Sequence, residues 1–134
     1  MKPNWKGVYP ALTTKFTDDD QLDIPTFLQN IEYQIEAGIH GCVIGGSLGE
    51  ASTLTQNEKV DLLKAGVEHV NNRIPVIINI AEQSTAEAVA AASEIGRRQN
   101  MAAGNRLEGV SLHDRRPGLF RPEDPGLRRV HWLQ

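Results

Sequence analysis

The sequence holds one cysteine, Cys42, so no intrachain disulfide can form and the redox compartment is left unconstrained. Set in the apolar run Cys42-Val43-Ile44, this thiol reads as a small core residue. No run approaches the roughly 20 apolar residues of a membrane span. Met1 to Lys15 lacks the apolar core of a secretory signal. A soluble, cytoplasmic protein with no membrane partner is expected. Metal-ligand spacing is also missing: His113 and His131 have no spaced partners, and Asp18-Asp19-Asp20 are consecutive loop carboxylates that read as solvated. No metal is expected. Lysine stops at Lys64.

What is present changes character near residue 97. Residues 1–96 carry six basic and thirteen acidic side chains, giving −7, whereas residues 97–134 carry eight arginines and four acidic residues, giving +4. A chain of 134 residues suits one domain with a modest core. From Asn100 to Gln134 the sequence has arginine pairs, Pro117, Pro122, Pro125 and scattered glycines, without a capping box, an apolar strand or a helical stripe. Residues 99–134 are therefore expected to form an irregular or disordered tail. Neither a patterned basic face nor a recognised motif accompanies its charge or Trp132, so no nucleic-acid partner is expected. The abrupt change in usage reads as a change of reading frame or of gene model.

Ahead of that break the chain repeats strand and helix. Gly7 to Thr14 reads as a first strand, with Pro10 unfavourable in a central position. Asp23 as N-cap and Pro25 in the first turn open a helix with an apolar face of Ile24, Phe27, Leu28, Ile31 and Ile35, stopped by Gly38. Gly41 to Ile44 is a second strand. Thr55 and Glu58 form a capping box before the stripe Val60, Leu63, Val67 and Val70. Pro75 to Ile80 is an apolar strand without alternation, as when both faces are covered. Ser84 and Glu87 open a third helix, running to about Arg98. Strand–helix units about 30–35 residues apart predict parallel strands, with the strand-to-helix loops on one rim.

The organising stretch is Gly45-Gly46-Ser47-Leu48-Gly49-Glu50, between the second strand and its helix. Glycines allow sharp turns or close approach of backbone to a ligand. Backbone N–H groups around Ser47 suit a carboxylate or a phosphate. The loop lacks the Gly-Lys-Ser/Thr ending of a P-loop, which weighs against a nucleotide enzyme.

Four ordered motifs now carry a resemblance: Ala11-Leu12-Thr13-Thr14; Gly46-Ser47-Leu48-Gly49-Glu50-Ala51 with Glu58 downstream; Arg73-Ile74-Pro75-Val76-Ile77; and Thr85-Ala86-Glu87-Ala88. From about residue 5 to 98 the chain resembles the dihydrodipicolinate synthase and N-acetylneuraminate lyase family. The resemblance implies an α/β fold, the N-terminal part of a TIM (β/α)8 barrel with three strand–helix units. It also implies Schiff-base chemistry between a lysine and a 2-oxo acid, usually pyruvate, without a cofactor, in homo-oligomers. Ser47 falls on the family's first hydroxyl position, so Ser47 and the Leu48 backbone are the expected carboxylate contacts, shaped by Gly46 and Gly49. The loop should share a rim with Thr14, and Glu50 and Glu58 should brace the second helix.

Two residues depart from the family pattern. Leu48 stands where a second threonine usually contributes a relay hydroxyl, which points to a sugar-acid or other 2-oxo-acid aldolase branch. Lys15 replaces a proline. The family's catalytic tyrosine and Schiff-base lysine belong to later strands, so no catalytic residue is expected in this chain and it is expected to be inactive alone. A second reading is a non-catalytic half-barrel that binds a small carboxylate.

Overall fold

The structure, a computed structural model, describes residues 6–80, 82, 84–99 and 109–112. Asp23 caps α1 (Ile24–Glu36) by accepting the Thr26 N–H at 3.0 Å. Phe27 and Ile31 are its fully buried residues, and Gly38, at φ +85, ends the helix in a conformation that side chains disfavour. The strand β1 (Cys42–Ile44) leads through a 3-10 turn at Ser47–Gly49 to α2 (Gln56–Val70). There the capping box is complete: Thr55 Oγ1 accepts the Glu58 N–H, and Glu58 Oε2 accepts the Thr55 N–H at 2.8 Å. Next come β2 (Val76–Ile80) and α3 (Thr85–Gln99), the latter opened by the same reciprocal pair between Ser84 and Glu87.

The sheet is parallel and ordered as the chain runs, β1–β2 and then β3 (Gly109–Leu112), with Cys42 opposite Val76 and Ile77 opposite Gly109. One face is sealed by the helices. Cys42, Ile44, Val76, Ile78 and Ile80 join Phe27, Ile31, Leu62, Leu63, Val67, Val70, Ala88, Ala91, Ala92 and Ile95 in a single apolar core. Strand alternation turns Val43, Ile77 and Asn79 to the other face. Gly66 shows how tightly α2 packs on β1, since a Cβ there would lie 2.7 Å from Ile44 Cδ1.

Two expectations need correcting. Gly7 to Thr14 is extended but is no full strand: a single parallel bridge joins Ala11 to Val43, flanked by the Val43 N–H donating to Pro10 O at 2.9 Å and the Leu12 N–H to Val43 O at 2.8 Å. Pro10 has no N–H to continue a ladder. The second correction is β3, which lies inside the segment read as irregular. Four residues suffice for a strand when a neighbouring strand supplies the register, and Gly-Val-Ser-Leu is too short to announce itself by pattern. The rest of the expected tail, residues 100–108 and 113–134, lies outside the described residues.

Candidate carboxylate-binding site

The segment Gly45–Glu50 leaves the C-terminal end of β1, and almost every carbonyl in it already has a donor. Asn79 Nδ2 donates to Gly45 O at 3.1 Å. Gly46 O accepts the N–H groups of Gly49 at 2.9 Å and Ala51 at 3.3 Å, and Ser47 O accepts the Glu50 N–H at 3.2 Å. The buried Thr14 hydroxyl donates to Gly49 O at 2.6 Å, and Glu50 O accepts both the N–H and the hydroxyl of Thr53 at 2.9 Å.

This pattern sets the direction of the amides. In a trans peptide plane the N–H points opposite to the carbonyl of the preceding residue. Gly46 O faces into the turn, so the Ser47 N–H faces out of it. Ser47 O is likewise held, so the Leu48 N–H is directed outward. Among the described residues neither N–H has a protein acceptor, and the Ser47 hydroxyl has no partner. Both residues are exposed, Leu48 by 67%. Two outward N–H groups and a hydroxyl are three hydrogen-bond donors side by side, the kind of group that pairs with an anion.

The glycines divide their work differently from the sequence expectation. Gly49 is sterically required: a Cβ would come within 2.8 Å of Leu12 O, a backbone atom with little freedom to move. Gly46 is not, because its backbone is extended at φ −76 and a Cβ would meet only Ala11 Cβ at 3.8 Å. The left-handed position belongs to Gly45, at φ +67. Glu50 is also left-handed, at φ 56, and closes the turn. Glu58 belongs to the α2 cap, where hydrogen bonds from Thr55 hold its carboxyl below its ordinary value.

The structure brings Ser47, Leu48 and Thr14 to one rim, as expected, and adds two groups that sequence reasoning missed. Asn79 is the one polar residue in Val76–Ile80, and that interruption was its signal. Lys59 is buried and paired with Glu82 at 2.9 Å, while Gln56 Nε2 donates to the same carboxylate. The signal for Lys59 was its place on the stripe 59, 62, 63, 66, 67, 70. Away from the rim, Arg73 makes a two-pronged pair with Glu32 at 2.6 and 2.7 Å, and His69 Nε2 lies 2.8 Å from Glu32 Oε2. Arg73 first, then His69, pulls the Glu32 carboxyl from 4.5 down to about 2. Burial pushes the Cys42 thiol up to about 12, in keeping with a core role. Among the described residues no cluster of three or more His, Cys, Asp or Glu could hold a metal, and no helix is long and apolar enough to cross a membrane.

Comparison with known proteins bears on the family and the fold. The Dihydrodipicolinate synthetase family matches residues 4–103. A 4-hydroxy-tetrahydrodipicolinate synthase from Salinibacter ruber is 38% identical over 86 residues, covering 64% of this chain and 28% of that protein. The enzyme of the same name from Rhizobium meliloti is 33% identical over 119 residues, 87% of this chain and 39% of its own length. A similarity of that extent cannot end at residue 98, so it reaches into the Arg- and Pro-rich segment. Among solved structures, a prophage protein of the dihydrodipicolinic acid synthase family from E. coli K12, in complex with pyruvate, superposes with a TM-score of 0.69 at 30% identity. That superposition covers 81% of this chain and 34% of that one. The chain thus spans between a quarter and two-fifths of the length of these relatives. With its parallel β/α order, its glycine turn and a family match over residues 4–103, the chain belongs to the dihydrodipicolinate synthetase family and has the fold of the N-terminal part of its TIM barrel.

Proposed function

We propose that this chain supplies the carboxylate-binding part of a Schiff-base lyase or aldolase acting on pyruvate or another 2-oxo acid, and that it holds no amine to form the Schiff base itself. The observation that carries the proposal is the turn at Ser47 and Leu48, whose two N–H groups and one hydroxyl are left open while the surrounding carbonyls are tied down. A 2-oxo acid presents its carboxylate to such donors and leaves its carbonyl carbon free for a nucleophile.

That nucleophile must be a neutral amine held beside the carbonyl. The described lysines are poorly placed for this. Lys59 is engaged by Glu82, Lys64 lies exposed on α2, and Lys6 is exposed ahead of the Ala11 bridge. Lys15 follows Thr14 and is the nearest in sequence to the rim, and it precedes the carboxylates of the 18–20 loop in the chain. Leu48 brings an apolar side chain where a hydroxyl would be needed for a proton relay. This supports a branch acting on sugar acids or other 2-oxo acids, and a chain that binds but does not turn over on its own.

Calorimetric titration of the purified chain with pyruvate, followed by borohydride reduction and intact-mass measurement, tests both halves. Reversible binding with no gain in mass is expected. Absence of heat at saturating pyruvate would remove the carboxylate site, and a stoichiometric adduct mapped to Lys15 would show that the chain carries its own chemistry.

A further inference from the structure

We infer that Asn79 is the positioning residue of the turn, aiming its two open amides at the bound carboxylate; this rests on the carboxylate reading above. The sheet register leads to it directly. Val43 pairs with Ile77 and Ile44 with Ile78, so the next step sets Gly45 opposite Asn79. Alternation turns Asn79 away from the helix-covered face occupied by Ile78 and Ile80. From there its Nδ2 donates to Gly45 O at 3.1 Å, partly buried.

Gly45 O and the Gly46 N–H share one peptide plane, so this bond fixes the plane by which the chain enters the turn. Gly45 stands at φ +67, where backbone freedom is greatest and an external hold has most effect. The planes that follow are held by the turn's own N–H groups until Gly49, whose carbonyl is held by Thr14. Side chains of two neighbouring segments thus anchor the turn at both ends, Asn79 from β2 and Thr14 from the Ala11 bridge. Because Gly45 O can only accept, the Asn79 amide orientation is set, and its Oδ1 is turned away without a partner among the described residues.

Asn79→Leu keeps the branching at Cγ and removes the donor. Asn79→His restores a donor, since Nδ1 occupies the same place along the side chain as the Asn Nδ2. In the full chain without ligand, N79L is expected to raise amide exchange at Gly49 and Ala51 by about fivefold to tenfold, the effect of one hydrogen bond. The pyruvate dissociation constant should weaken by a similar factor, about fivefold to tenfold, and N79H should recover most of both. Should N79L fail to fold, Asn79→Ser, polar but too short to reach Gly45, carries the same expectation. A lower melting temperature with unchanged exchange at Gly49 and Ala51 and unchanged pyruvate affinity would overturn the inference, reducing Asn79 to a structural residue. If the unsubstituted chain fails to bind pyruvate, the carboxylate reading falls and the aiming role falls with it. The exchange measurement then still decides whether Asn79 holds the turn.

Discussion

The two sides of this short sheet are held by different forces. Towards the helices, Ile44, Ile78 and Ile80 meet Phe27, Ile31, Leu63 and Val67 through apolar burial alone, a non-directional attraction that fixes proximity. At the C-terminal rim the same strands end in hydrogen bonds from Thr14 and Asn79 that fix the direction of single peptide planes. Burial builds the fold, and directed bonds aim the amides that would meet a ligand. A family whose relatives share the barrel can therefore vary chemistry at the rim while leaving the packed side intact.

The largest expected effect lies on the packed side. Phe27 is 1% exposed, and Phe27→Ala should cost about 3–5 kcal/mol, read as a lower urea midpoint or the loss of a cooperative transition. An equally stable variant would mean that the helix-covered face is not the source of stability.

The glycines of the turn sharpen the contrast at the rim. Gly49→Ala must displace Leu12 O, only 2.8 Å from the added carbon, and should cost about 1–3 kcal/mol and abolish pyruvate binding. Gly46→Ala has room and an ordinary backbone, so it should be neutral or stabilising by about 0.4–1 kcal/mol. Equal responses of the two variants in urea titration would contradict the division of roles.

A smaller effect is expected at the α2 cap, where Thr55→Ala should cost about 1 kcal/mol without changing pyruvate affinity. A loss of affinity larger than the loss of stability would tie that cap to the site. Smallest is the pH response of the Glu32–Arg73–His69 cluster. The Glu32 carboxyl titrates lower when folded, at about 2 against 4.5, so its contribution is complete above 4.5 and is lost as pH falls towards about 2. Glu32→Gln should flatten the stability profile in that window only, as followed by thermal melts at successive pH values.

Most of the packed side was legible in the sequence. The capping boxes at Thr55 and Ser84, the Asp23 cap and the stripe Val60, Leu63, Val67, Val70 are local signals, and local signals survive folding. The rim was legible only in part. Ser47 and Leu48 stood out through glycines and resemblance. The bonds that orient them join residues 34 and 35 positions apart, a pairing that only the sheet register creates. Gly46 and Gly49 look alike in sequence because a close carbonyl from Leu12 cannot be read there. β3 escaped for the same reason: its partner, more than its own composition, makes it a strand.

The most direct test of the central claim is a pyruvate titration of the uniformly 15N-labelled full chain, followed at each backbone amide. If the turn is an anion site, the Ser47 and Leu48 amide resonances shift first and furthest and saturate together, while amides on the helix-covered side, such as Ile44 and Ile78, remain still. Shifts spread evenly over the chain, or confined to residues away from Ser47 and Leu48, would contradict it.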